Sequence, residues 1–324
     1  GALFGLMAVL ATSCAIRHLT GSLLAATVGA VLIALEPRLH FNSQSGMETI
    51  LLIGLWAGAT SSLTRNLLPR ATVMIALMPT VRPEAILVVP FFLLAMVLAT
   101  DVRSRPRATW AKLAAIAVTP SLAWGIFNQS VTGHWLPTTF YMKSTGFAFG
   151  GAQVATAWEA ITHAGYASTP VFVVGLLLLV GWCGLVRDRR AVIAASMFLA
   201  APLVFAVAVV GSRNFMVGGF YWTRWTDPAA VILTEAAIIG LTVLLVLGLR
   251  SPRALAPALG DRAPLVVRSA AGVVVLLLVY AVPTLHASFL ERREQLATDS
   301  RAIDIVNVQA GKWIAQNTPP DATV

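Results

Sequence analysis

Residues 228–249 read PAAVILTEAAIIGLTVLLVLGL, and Glu235 is the single ionisable side chain among them. Wound as a helix at 1.5 Å per residue, this stretch is about 33 Å long, enough to cross the ~30 Å hydrocarbon core of a bilayer. It is apolar on every face, so it has no side to turn toward water. Outward from it, comparable apolar segments lie near 1–16, 20–35, 47–63, 70–82, 84–99, 112–128, 169–186, 191–210 and 267–285. The shortest, 70–82, is expected to end partway through the bilayer. Hydrophobic residues make up 57% of the chain and charged residues 11%, against roughly 25% charged in soluble domains. Lipid offers no water to pair with backbone amides, so these spans must be helices. The expectation is an all-α membrane protein, a polytopic bundle of about ten transmembrane helices.

The basic residues are sorted. Fourteen Lys and Arg, from Arg17 to Arg268, fall in one set of alternate connections, while Arg38, Arg82, Lys143, Arg213 and Arg224 fall in the other. By the positive-inside rule the first set is cytoplasmic, which puts residue 1 and the tail after 285 on the outer face. The net charge of +9 is then a matter of topology, and no nucleic-acid partner is called for.

Gly1 opens within an apolar span with no basic stretch or small-residue cleavage site before it, so a signal peptide is not expected. The expectation is instead a piece of a longer chain, lacking at least one upstream span. Residues 289–317 repeat apolar side chains at Leu296, Ile303, Val306, Ala310, Trp313 and Ile314, a helical period. Asn317 to Pro320 then stops the helix, and 321–324 looks like entry to a strand. The domains read as a transmembrane unit over 1–285 and the start of an extracytoplasmic domain over 286–324.

Cys14 and Cys183 sit within spans and read as inert thiols. The histidines His18, His40, His134, His163 and His286 have no chelating spacing, so neither metal nor cofactor is expected.

Three outer connections are richer than linkers: 36–48 (EPRLHFNSQSGME), 128–168 and 211–227 (GSRNFMVGGFYWTRWTD). Loops of this kind on one face are where function concentrates. Arg82, Lys143, Arg213 and Arg224 go against the sorting rule. Each alone can be a cation snorkelling to headgroups, but together they suit an anionic ligand. Arg82-Pro83-Glu84 offers two readings, a local pair with Glu84 favoured by a helix dipole or part of an active site. Glu48 completes a capping-box pattern with Ser45 or lines a cleft. Tyr141 and Trp135 suit an aromatic belt, and Lys143 a phosphate oxygen. Asp227 before Pro228 reads as a helix start. Glu235 is a functional candidate by its depth, or the partner of a neighbouring polar group.

Taken in order, SGMET (45–49), VRPEA (81–85), GHWLPTTFYMK (133–143), FMVGGFYWTRW (215–225) and KWIAQNTPPDATV (312–324) resemble the membrane glycosyltransferases of the GT-C superfamily. Within it they are similar to the mycobacterial arabinofuranosyltransferases and related bacterial proteins. The resemblance covers nearly the whole chain. It implies a sugar donor on polyprenyl phosphate, a glycan, lipid or protein acceptor, and a site on the outer face of a bacterial inner membrane. The substrate-binding positions it implies are Glu48, Arg82, Glu84, Tyr141, Lys143 and Arg224. Met47 stands in place of the family's leucine, and 215–225 lacks its Gly-Gly-Asp order. The aspartate that the family uses as general base would precede Gly1, so the catalytic residue is not among those present. Fixed cations would stabilise the departing phosphate, and the aspartate would take the acceptor proton with inversion. Two other readings stand beside this one, a transporter or flippase of lipid-linked substrates and a non-catalytic scaffold.

Overall fold

A computed structural model describes residues 1–45, 48–100, 106–136, 150–185, 188–212, 225–250 and 263–317. Among these residues, the regular structure is helical throughout. Five helices are long and apolar enough to cross a bilayer: α1 (Ala2–Thr20), α7 (Arg107–Thr132), α10 (Arg189–Ser212), α11 (Asp227–Arg250) and α12 (Ala263–Asn317). The count becomes six if the bent pair α2 (Leu23–Ala34) and α3 (Pro37–Gln44) is one span. This is a multi-pass membrane protein. The other apolar segments are shorter helices: α4 (Glu48–Thr64), α5 (Leu68–Val81), a 3₁₀ turn at Pro83–Leu87 leading into α6 (Val89–Ala99), and α9 (Pro170–Leu185).

At the centre is α11, buried nearly all round between α9, α10, α2, α4 and α12. Small residues let its backbone meet that of α9. A Cβ on Gly240 would come within 2.8 Å of Leu179 N, and one on Gly175 within 2.8 Å of Ala237 Cα, the close approach that drives helix association where lipid is the solvent. Aromatic edges tie other helices together. Trp56 of α4 meets Phe92 of α6 and Phe205 of α10 with ring centres 6.2 and 5.7 Å apart. On the perimeter, Leu3, Leu276 and Tyr280 are about 70% exposed, a surface suited to acyl chains and not to water.

Local chemistry ends the helices where they must turn. Gly21 takes φ 65° after α1, and Ser22 Oγ then caps α2 by accepting from Ala25 N at 3.2 Å, as an N-cap serine does. The chain bends by 61° between α2 and α3, where Glu36 caps the new helix and Pro37 occupies its first turn. Arg82 is extended, φ −143° and ψ 120°, because the following proline disfavours the helical region.

The structure corrects parts of the sequence reading. The 36–48 connection contains helix α3, and Ser45 closes that helix, its hydroxyl donating to Asn42 O at 3.2 Å. The 128–168 connection begins inside α7, which continues to Thr132 until Gly133 turns it with φ 74°, and it holds α8 (Gly151–Thr162) and a 3₁₀ turn at Gly165–Ser168. Helix α12 runs unbroken through residue 285 and ends at Asn317, so the boundary between the two expected domains falls within one helix. The expected strand at 321–324 lies outside the described residues.

Candidate functional site

The densest buried charge is at the α3 end of the bundle, and it begins with the cap of α3. Glu36 Oε1 accepts from Arg38 N at 3.2 Å and Oε2 from Tyr166 N at 3.1 Å, so each carboxylate oxygen is held by a backbone donor. Arg38, fully buried, is sent elsewhere. Its Nη2 donates to Ala160 O at the end of α8 (3.0 Å), and its Nε lies 3.8 Å from Asp227 Oδ1. Asp227 heads α11 and sits between two guanidiniums, with Arg292 Nη2 of α12 at 4.0 Å from the same oxygen. Its Oδ2 accepts from Asn42 Nδ2 at 3.1 Å, and that amide also donates to Arg38 O at 2.8 Å. Arg292 lies over the Phe41 ring at 5.2 Å and donates to Gln295 Oε1 at 3.2 Å. Three segments distant in sequence, α3, α11 and α12, are thus joined by one buried carboxylate. Buried charges persist only when paired in this way.

Two neighbours register the field. Burial, with the Glu36 carboxylate adding to it, raises Tyr166 above the usual phenol range. Partial burial and the positive charges of Arg292 and Arg38 hold His163 below the usual imidazole value.

The second centre is Arg82, 1% exposed between α5 and its 3₁₀ turn. Its Nε lies 3.7 Å from Glu84 Oε2, its Nη1 donates to Thr49 Oγ1 at 3.3 Å, and its guanidinium carbon stands 4.6 Å from the centre of the Trp225 ring. The two centres share one short segment. Trp225 stacks on Arg82, and two residues later Asp227 holds Arg38 and Arg292.

Beside Arg292 is a cavity of about 260 Å³ lined by His40, Gln44, Phe41, Phe289, Arg292 and Arg293. His40 Nε2 is 2.6 Å from Ala34 O, and its ring meets Phe289 edge-on with centres 5.6 Å apart. The cavity is smaller than most drug-sized pockets. With two guanidiniums and an amide on aromatic walls, it suits a compact, oxygen-rich anion.

Of the positions expected from sequence, Arg82 and Glu84 come together and are buried. Glu48 is exposed at the first turn of α4, next to the Thr49 that receives Arg82. Tyr141, Lys143, Arg213 and Arg224 lie outside the described residues. Glu235 is wholly buried in α11, facing Thr12 of α1, whose hydroxyl donates to Ala8 O at 3.0 Å. Sequence reasoning passed over Arg38, Glu36 and Arg292, and took Asp227 for a helix start alone. Arg38 carried a usable signal, since it belongs to the small set of cations on the disfavoured side and follows a Glu-Pro. Arg292 carried none, lying in a helix dense with charge.

Comparison of the chain with known protein families, curated proteins and solved structures finds no match.

Proposed function

We propose that the chain is the membrane portion of a GT-C-type glycosyltransferase that takes a sugar from a polyprenyl-phosphate carrier and transfers it, with inversion, to a glycan, lipid or protein acceptor. In this reading ten helical segments cross a bacterial inner membrane, the α3 end faces outward, and residues beyond 285 lead into an outer-face domain. The observation that carries it is the pairing of two buried arginine centres, Arg82 and Arg38–Arg292, by the single segment Trp225–Asp227, beside an arginine-lined cavity at the same end. Breaking the anomeric bond leaves charge on the carrier phosphate, which fixed guanidiniums in a water-poor site stabilise. Lys143 and Arg224 would add to that field, and Glu48 or Glu84 would orient hydroxyl groups. The proton of the acceptor goes to an aspartate that the resemblance places before residue 1.

The test uses the full-length protein with labelled polyprenyl-phosphate sugar. Arg82→Ala and Lys143→Ala should each lower transfer by about 10²- to 10³-fold while membrane insertion is unchanged. Wild-type transfer by both variants rejects the phosphate site. A second reading, a transporter or flippase, is favoured by one observation: Glu235 is buried inside the central helix, two turns along it (~12 Å) from Asp227 and the charged layer. Substrate flux that needs Glu235, without sugar transfer, would select it.

A further inference from the structure

Away from the charged layer, the perimeter carries a groove of about 370 Å³ between α1, α4 and α5. Its walls are apolar, running along α1 from Leu3 through Met7 and Leu10 to Cys14, with Met74 of α5 opposite. Its two cations, Arg65 and Arg70, lie at one end. Arg65 follows the last residue of α4, and Arg70 is in the first turn of α5. Both are exposed, and neither makes an ion pair among the described residues. Helices α1 and α4 run in the same direction, since Gly54 faces Phe4 and Met7 while Gly5 faces Ile50. The charged mouth is therefore at the Cys14 end, away from α3.

The dimensions match one kind of occupant. From Leu3 to Cys14 the groove follows twelve residues of helix, a rise of about 16 Å, which is half of the ~30 Å hydrocarbon core. Its length is that of one leaflet's acyl layer, its lining is mostly apolar, and its positive charge lies at the end that the positive-inside rule puts on the cytoplasmic side. Leu3, Leu6 and Leu10 are each more than half exposed, so the groove is open to lipid along its side. A guanidinium pair with no carboxylate partner among the described residues, at the end of an acyl-length groove, is complementary to a phosphodiester, which arginine binds through paired donors.

We infer that this groove binds an anionic phospholipid of the leaflet at the Arg65 end, with its acyl chain along α1 and its phosphate between Arg65 and Arg70. The site is separate from the proposed transfer site and does not depend on it. Bound there, the lipid closes the gap between α1 and the α4–α5 hairpin and steadies the helix that Glu235 faces.

The chain carries its own reporter, because Cys14 lines the groove whereas Cys183, on α9, does not. In the Cys183→Ser protein in nanodiscs, a lipid-soluble maleimide should label Cys14 readily in phosphatidylcholine. Adding phosphatidylglycerol should slow that labelling roughly tenfold, through the two guanidiniums. Arg65→Gln/Arg70→Gln should restore the fast rate, and Cys183 in the Cys14→Ser protein should not respond to phosphatidylglycerol. Equal Cys14 rates in both lipids, or protection that survives the double substitution, overturns the inference. Cys14 slow in every lipid overturns it as well, by showing that protein covers the groove. Protection by undecaprenyl phosphate but not by phosphatidylglycerol overturns the phospholipid and assigns the groove to an isoprenoid carrier.

Discussion

Glu36-Pro37-Arg38 and Arg82-Pro83-Glu84 contain the same three residues in opposite order, at the same end of the bundle, and both are buried. In the second, the arginine is the extended residue before proline, and the glutamate follows in the turn, so the two side chains meet at 3.7 Å. In the first, the glutamate precedes the proline and folds back as a helix cap, where backbone N–H groups of Arg38 and Tyr166 occupy it. Its arginine feels the charge of that carboxylate but makes its close contacts elsewhere, with Ala160 and Asp227. Residue order around a proline thus separates a local staple from a long-range clasp.

The clasp should be the more costly to break. Asp227→Ala would leave Arg38 and Arg292 buried together without their shared carboxylate, a loss of about 3–5 kcal/mol in unfolding measured in detergent micelles. If that variant is no less stable than Glu84→Ala, the contrast between clasp and staple is wrong. Gly165→Ala comes next. Gly165 has φ 68°, and a Cβ there would run into the Glu36 carboxylate, so we expect a loss of about 1–3 kcal/mol that Glu36→Ala partly suppresses in the double variant. Additive effects would show that the cap is not what Gly165 accommodates.

Smaller again is the coupling of Arg82 to Trp225. A double-mutant cycle with Arg82→Met and Trp225→Leu should return about 0.5–2 kcal/mol; a value near zero would leave the two arginine centres unconnected through that ring. The smallest effect concerns His163. Its value in the fold lies below the 6.5 of a free imidazole, so the unfolded chain takes up a proton first as pH falls. Stability should therefore decline modestly as the pH drops through about 6.5, and His163→Gln should flatten that slope. An unchanged slope would show that burial and the charges of Arg292 and Arg38 do not depress it.

Much of the helical layout was legible in the chain. The apolar segment at 228–249 is helix α11, Pro83 sets the turn after Arg82, and the periodic run ending at Asn317 is the end of α12. Short helices were not. Helix α3 has eight residues and α8 twelve, too short to announce themselves by hydrophobic period when polar residues serve buried contacts. Half of the charged layer was equally hidden. Arg82 and Glu84 are neighbours in sequence and could be paired by inspection, whereas Asp227 finds Arg38 only because α11 passes beside α3.

By itself, then, the sequence determined that this chain lives in lipid as helices, since apolar length and the absence of water leave no other backbone solution. It also determined where helices turn, because proline, glycine and capping side chains act within a few residues. Which buried charges meet was set by the packing of the helices. Asp227 takes the cations that the packing of α3 and α12 brings to it, and residue spacing along the chain holds no record of that choice.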